Sequence, residues 1–344
     1  MYSFKNDYAE GAHPLVLKAL AESNFSQEAG YGEDTFTLLA KQRIRQQIDH
    51  QDAAIYLVAG GTLANLLVIS YLLRPHEAVI SAASGHIQAN ETGAIEQTGH
   101  RIITVEGKEG KVLPGDLHEV MERHRLRPHV VRPRMVYISN ATEWGTIYSL
   151  QELKDLYQTC QDLGLWLFMD GARLGQALAS DVNDVQWKDL AQFTDVFYIG
   201  GTKNGALLGE AIVFNTPDIC QDFDYHLKQR GALMAKGRVL GVQFKTLFET
   251  DLYNTLALHA NLQASRMAKA IVAQGFQFWM PPHTNQLFPI FPNELIEHLS
   301  GEFSFYVWRK IDEHHTVVRL ITSWATPDHA VEQWIKAIKV SFHV

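Results

Sequence analysis

The sequence predicts an α/β protein: a mainly parallel sheet with helices on both faces, and a smaller α+β unit toward the C-terminus. Three observations predict it. Short segments that are apolar throughout recur between helical stretches, as strands buried on both faces must be. Glycine-containing polar turns follow several of them, at the strand ends where such sheets hold ligands. After Asp222 the alternation stops and long helical and then strand-like stretches follow. A chain of 344 residues, 46% hydrophobic and 20% charged, is enough for one large packed domain or two ordinary ones.

Pro14 to Ala21 has a short helical pattern, and Tyr31-Gly32-Glu33-Asp34 is a polar turn. Thr35 to Ile48 spaces Phe36, Leu39, Ala40 and Ile44 as an amphipathic helix does. Ala54 to Val58 is a strand, Ala59-Gly60-Gly61-Thr62 a turn and Leu63 to Leu73 a helix. Ala78 to Ser81, Arg101 to Val105, Met135 to Ser139, Leu165 to Met169, Val196 to Ile199 and Ala211 to Phe214 are further strands. Between them Glu91 to Thr98, Pro114 to Arg125 and Leu150 to Leu163 read as helices, with Pro114 suited to a first helical turn. Phe223 to Gln274 is largely helical. Leu287 to Phe291, Phe303 to Trp308 and Val317 to Ile321 are strand-like, and Asp328 to Ile338 is a final helix. Residues 31–235 are expected to form the large domain, and residues 1–30 with 236–344 the small one.

Composition excludes several functions. A net charge of −8 leaves no basic footprint for nucleic acid or an anionic membrane. No apolar run could span a bilayer, and the N-terminus lacks the apolar core of a signal peptide. Two cysteines, Cys160 and Cys220, make no disulfide framework, so a cytoplasmic location is expected. The 16 histidines show no metal-binding spacing, so no metal is expected.

Five places carry chemistry. Lys203 follows an apolar strand within Gly200-Gly201-Thr202-Lys203-Asn204-Gly205, a seat for a Schiff-base lysine or simply a surface lysine in a flexible turn. Gly60-Gly61-Thr62 opens a helix, where free N–H groups could cradle a phosphate or Thr62 could serve as an ordinary cap. Asp170 ends the most apolar strand and needs a partner, either a protonated ring nitrogen or Arg173 nearby. His86, in Ser84-Gly85-His86, could stack on an aromatic ring or bond within its loop. Arg319 stands in an apolar strand, suited to grip a carboxylate or pair with a local acid. A phosphate cradle, an aspartate, a flat histidine and a strand-end lysine together meet the needs of pyridoxal phosphate.

The order of phosphate turn, aspartate and lysine resembles the fold type I, aspartate-aminotransferase-like enzymes. Across nearly its full length the chain resembles the threonine aldolase and β-eliminating lyase family, in its low-specificity L-threonine aldolase branch. The strings that carry this are Phe4-Lys5-Asn6-Asp7, Tyr31-Gly32-Glu33-Asp34, Gly61-Thr62-Leu63-Ala64-Asn65, His86, Asp170-Gly171-Ala172-Arg173, Gly200 to Gly205, and Arg319. The resemblance implies a three-layer large domain and a pyridoxal phosphate enzyme that cleaves a β-hydroxy-α-amino acid to glycine and an aldehyde. It implies that Lys203 binds the cofactor aldehyde, that His86 stacks on the ring and that Asp170 meets the ring nitrogen. Gly61 and Thr62 would hold the phosphate; Arg173 and Arg319 would hold the substrate carboxylate. His129 aligns with a family histidine near the substrate hydroxyl, so the base is His86, His129 or a water. Lys228 and Arg230 fall where the family has basic residues near the phosphate or a subunit interface. Asn6 stands where the family commonly has a substrate-binding serine. Dimers or tetramers with shared sites are implied. The alternatives are β-elimination on the same cofactor and a non-catalytic scaffold of the same fold. A nicotinamide dehydrogenase lacks its glycine fingerprint here.

Overall fold

The computed structural model describes residues 1–339. The chain opens with a two-residue strand, β1 (Tyr2–Ser3), followed by helices α1 (Pro14–Glu22) and α2 (Thr35–Gln47). A seven-stranded sheet then forms from β2 (Ala54–Val58), β3 (Glu77–Ala82), β4 (Arg101–Val105), β5 (Arg132–Ser139), β6 (Trp166–Asp170), β7 (Val196–Gly200) and β8 (Glu210–Phe214). Their order across the sheet is β2-β8-β7-β6-β5-β3-β4. The pairs from β4 to β7 are parallel, while β8 runs antiparallel to both its neighbours. Each of the seven apolar segments read from the sequence is one of these strands.

Alternation along each strand builds two cores, one on each face. Val136, Ile138, Leu167, Phe197 and Ile199 pack with Ala40 and Ile44 of α2 and Phe244 of the helix Arg238–Glu249. Tyr137, Phe168 and Tyr198 face the other way, toward Ala64, Leu67 and Val68 of α3 (Gly61–Leu72). The reversal of β8 has a positional effect. Its first residue, Glu210, is paired with Gly200 and so lies at the edge where the parallel strands end.

The smaller unit is an antiparallel sheet of β10 (Ile290–Pro292), β13 (His315–Ile321) and β12 (Tyr306–Lys310), with β9 (Gln286–Leu287) also on β13. β11 (Phe303–Ser304) pairs with β1, which ties the N-terminus to this unit. Phe4, Met267, Phe291, Val318, Leu320 and Trp334 fill its core.

The expected division at residues 235 and 236 does not follow this packing. Val16, Phe244, Leu247, Tyr253 and Leu256 all belong to the core of the large unit. The 22-residue helix Leu252–Ala273, about 33 Å long at 1.5 Å per residue, gives Leu256 to that core and Met267 and Ile271 to the small one. Three other expectations are corrected. No continuous helix spans Glu91 to Thr98, because Thr92 and Gly93 hold φ of 54° and 76°. Leu287 to Phe291 is split into β9 and β10 around Pro289, which has no N–H to give a ladder. Phe303 to Trp308 is likewise split, β11 pairing with β1 and β12 with β13.

Candidate active site

The strand ends of the sheet carry the polar residues. Gly60, Gly61 and Thr62 follow β2, His86 follows β3, Asp170 ends β6 and Lys203 follows β7. Together with Tyr8, Tyr198, Glu210 and others they line a cavity of about 270 Å³.

Thr62 is not a helix cap. The residue before α3 is Gly60, in extended backbone, and no side chain caps the helix. The first N–H groups of this 12-residue helix therefore open on the cavity with the positive end of its dipole, a setting for an anion. A Cβ at position 61 would lie 2.9 Å from the Tyr198 hydroxyl, so the approach needs glycine. Gly200 serves a similar end, since a Cβ there would collide with the Ala172 backbone. That close contact draws the Lys203 turn against the Asp170 loop.

Asp170 is 4% exposed and remains a carboxylate. Burial pushes its pKa up, but the charge of His86, the Tyr137 and Tyr198 hydroxyls and the Ala172 N–H outweigh burial and bring it below the usual value. Tyr137 and Asn65 donate to one oxygen, Tyr198 and the Ala172 N–H to the other. Its four hydrogen-bond donors are neutral, and the charge of His86 adds to their hold. The alternative pairing with Arg173 does not occur, because Arg173 forks onto Asp7 with distances of 2.7 and 3.0 Å. Asn285 also donates to Asp7, at 2.9 Å.

His86 Nδ1 sits 2.9 Å from Glu91 Oε1, and Asn65 donates to the same oxygen at 2.8 Å. Burial lowers the pKa of this imidazole, but Glu91, Asp170 and Glu143 outweigh burial and raise it. Lys203 is driven the other way. Burial, then the charge of Arg173, lower its pKa against the pull of Asp7, Asp170 and Glu210. An amine that loses its proton more readily is a better nucleophile. Glu210 accepts from the Gly201 N–H at 2.9 Å, and burial raises its pKa to about 7.

Arg319 reaches the region from β13. Its guanidinium lies 4.8 Å from the Trp308 ring and 5.1 Å from the Tyr306 ring. Its Nε is buried without a hydrogen-bond partner among the described residues. Burial, then the charge of Arg173, lower its pKa. Two arginines within electrostatic reach, with one donor unfilled, suit an added carboxylate. Asn6 precedes Asp7 and accepts from the Tyr8 N–H at 3.1 Å.

His129 is corrected. It lies exposed in the turn before β5, whereas the site lies beyond the other end of that strand. Eight residues of strand span about 26 Å, so His129 is not beside the cavity. Lys228 and Arg230 are exposed at the end of the helix Phe223–Gln229 and do not line the cavity; the Lys228 amine sits 4.2 Å from the Tyr31 ring. Sequence reasoning missed Tyr137, Tyr198, Glu91, Glu143 and Glu210, and it missed the use of Asp7 as the partner of Arg173. For Glu143 the signal was position: it follows β5 on the ligand side, where His129 does not.

An uncapped helix end suits a phosphate. An ionised aspartate held by neutral donors suits a positively charged ring nitrogen, and a lysine with lowered pKa suits an aldehyde. The residues therefore fit pyridoxal phosphate, and the protein is a fold type I pyridoxal phosphate enzyme. A double mutant of Thermus thermophilus aspartate aminotransferase shares the fold, with a TM-score of 0.74 over 98% of this chain and 91% of that one at 12% identity. A family profile described as beta-eliminating lyase matches residues 7–292. The chain belongs to the beta-eliminating lyase family. It is similar to a Leishmania major threonine aldolase structure, with 42% identity and a TM-score of 0.97 over 98% of this chain and 99% of that one. It is also 33% identical to the low specificity L-threonine aldolase of Pseudomonas aeruginosa, over 98% of this chain and 97% of the relative.

Proposed function

We propose that this enzyme cleaves a β-hydroxy-α-amino acid of the L-threonine or L-allo-threonine type into glycine and an aldehyde. The observation that carries the reading is Arg173, clamped by Asp7 and within electrostatic reach of both Lys203 and Arg319, whose Nε is buried without a partner among the described residues: two guanidinium groups for a carboxylate, one of them close to an amine of lowered pKa. The relatives named as threonine aldolases support the choice of substrate.

Pyridoxal phosphate, when bound, supplies a carbonyl carbon for amines and a ring that takes up electrons. Lys203 and the N-terminal N–H groups of α3, at Gly61 and Thr62, would hold it by its aldehyde and phosphate. Asp170, kept ionised, would hold the ring nitrogen in its protonated form. His86, seated by Glu91, would present its imidazole to the ring face. Arg173, clamped by Asp7, and Arg319 would grip the substrate carboxylate and fix the orientation of the Cα–Cβ bond. Asn6 stands next to Asp7 and would add a neutral donor near that carboxylate.

We also infer a homo-oligomer, a dimer or tetramer with shared sites. The exposed apolar residues Tyr8, Tyr31, Leu207 and Tyr225 support it, Tyr8 lining the cavity itself. A cytoplasmic setting suits the two free, buried cysteines.

The test is to supply L-threonine and L-allo-threonine to the purified, cofactor-loaded protein. Aldehyde and glycine in equal amounts are expected. A keto acid and ammonia without aldehyde would overturn the reading in favour of β-elimination.

A further inference from the structure

Resting on the aldolase reading, we infer that Glu143 is the acid–base residue that takes the proton from the substrate's β-hydroxyl. Its placement carries the inference. Ser139, the last residue of β5, pairs in register with Asp170, and the Asn140 N–H donates to the Asp170 carbonyl at 2.9 Å. Glu143 therefore stands in the loop that leaves the sheet directly beside the cofactor aspartate.

That loop is fixed on several sides. The Thr142 and Thr146 hydroxyls lie 2.7 Å apart, and the Thr146 hydroxyl donates to the Glu109 carbonyl at 2.7 Å. Gln286 donates to the Thr142 carbonyl at 3.0 Å, and Trp144 packs against Trp279 with ring centres 4.9 Å apart. A carboxyl on such a loop is held in place rather than left to swing.

The other carboxylates of the site each hold a named partner, Glu91 through Oε1 alone. Asp7 holds Arg173, Asp170 has four donors, Glu91 holds His86 and Asn65, and Glu210 caps the Lys203 turn through the Gly201 N–H. Glu143 is bonded to the Ser139 hydroxyl, at 2.8 Å. A hydroxyl can donate to a carboxylate and accept from a carboxylic acid, so this partner suits a group that changes protonation state. Burial raises the pKa of Glu143, and so does the charge of Asp170; His86, Ser139 and its own N–H oppose them without cancelling the rise. Arg173, Tyr137 and Tyr148 also lie within its electrostatic reach. A carboxylate of raised pKa is a stronger base.

The step balances. Glu143 carboxylate accepts the β-hydroxyl proton as the C–O bond becomes C=O. The Cα–Cβ bond breaks, and its electron pair stays with Cα. Cα then takes up one proton, so that the products are one aldehyde and one glycine.

The experiment compares wild type with Glu143→Gln and Glu143→Asp, each loaded with cofactor and matched by visible absorbance. In Glu143→Gln the kcat for aldehyde release should fall about 10²–10⁴-fold with little change in KM. Exchange of the glycine α-hydrogen in heavy water needs no β-hydroxyl and should fall less than about tenfold. In a pH titration of the cofactor-free protein followed by infrared absorption, the carboxyl and carboxylate bands should lose one titrating component. Glu143→Asp should recover part of kcat, and it decides the question if the glutamine variant fails to fold: a clear loss of cleavage with exchange retained supports the inference. Cleavage within about threefold of wild type in either variant overturns the inference and leaves the aldolase reading standing. An equal loss of both reactions also overturns it, since Glu143 then only supports the site. Wild type that exchanges glycine but releases no aldehyde overturns the aldolase reading and this inference with it.

Discussion

Asp7 and Arg173, 166 residues apart in sequence, meet through two parallel hydrogen bonds of 2.7 and 3.0 Å. A two-oxygen acceptor is matched to the guanidinium fork, and the aspartate is fully buried. The arginine proposed to grip substrate is thus aimed by a residue from the N-terminal segment.

Asp7→Asn removes one acceptor oxygen and sets an amide donor against a cation. Breaking a buried pair in this way costs about 3–5 kcal/mol. Denaturant unfolding should show a loss near the low end of that range. KM for the amino acid should rise about tenfold or more while the cofactor still binds. Unchanged KM and stability would mean that Arg173 is positioned without Asp7.

Gly61→Ala should weaken the cofactor site and spare the fold. Its Cβ would lie 2.9 Å from the Tyr198 hydroxyl, which can retreat only by leaving Asp170. Losing a hydrogen bond to a charged group costs about 1.5–3 kcal/mol, or about 10–100-fold in affinity. Fluorescence titration of the cofactor-free protein with pyridoxal phosphate measures it; wild-type affinity would exclude close approach at this turn.

Lys203→Ala should abolish cleavage and the long-wavelength absorbance of the loaded protein. Full retention of that absorbance would remove Lys203 from its assigned place. The same variant should remain folded, because the turn is held by main-chain groups and by the Tyr253 hydroxyl donating to the Gly200 carbonyl at 2.9 Å.

Asp195 should govern a pH dependence of stability. Burial raises its pKa from 3.8 to about 6. The native state then binds more protons than the unfolded state across that interval, so stability falls as pH rises through it. The full effect is at most about 3 kcal/mol. Asp195→Asn keeps an oxygen for the Leu167 N–H, which now donates to Asp195 at 2.7 Å. Urea titrations at several pH values should show a shallower decline in the variant; an identical decline would assign it to other groups.

Much of this site was legible because it is local. Lys203, Asp170, His86 and Gly61 each follow a recognisable strand, and the C-terminal edge of a parallel sheet is where such residues gather. His129 failed by the same rule: it precedes β5, and direction along the strand would have pointed to Glu143 instead. Tyr137 and Tyr198 read as interior strand residues, and only their face toward Asn65 and Asp170 reveals a polar task. Glu210 was hidden because β8 runs backward, which brings the start of a strand to the edge where its neighbours end. The contact of Asp7 with Arg173 crosses the whole fold, and no periodicity encodes it. The helix Leu252–Ala273 serves two cores, which a division at residues 235 and 236 does not express.

The first residues are threaded between both halves of the molecule. Phe4 is sunk among the residues of the small core and exchanges main-chain hydrogen bonds with Ser304 and Ile321, and three positions later Asp7 is locked against Arg173. Clipping the chain just after Asp7 would spare every cavity-lining side chain, yet it would unpin a strand and strip an arginine of its counter-charge together.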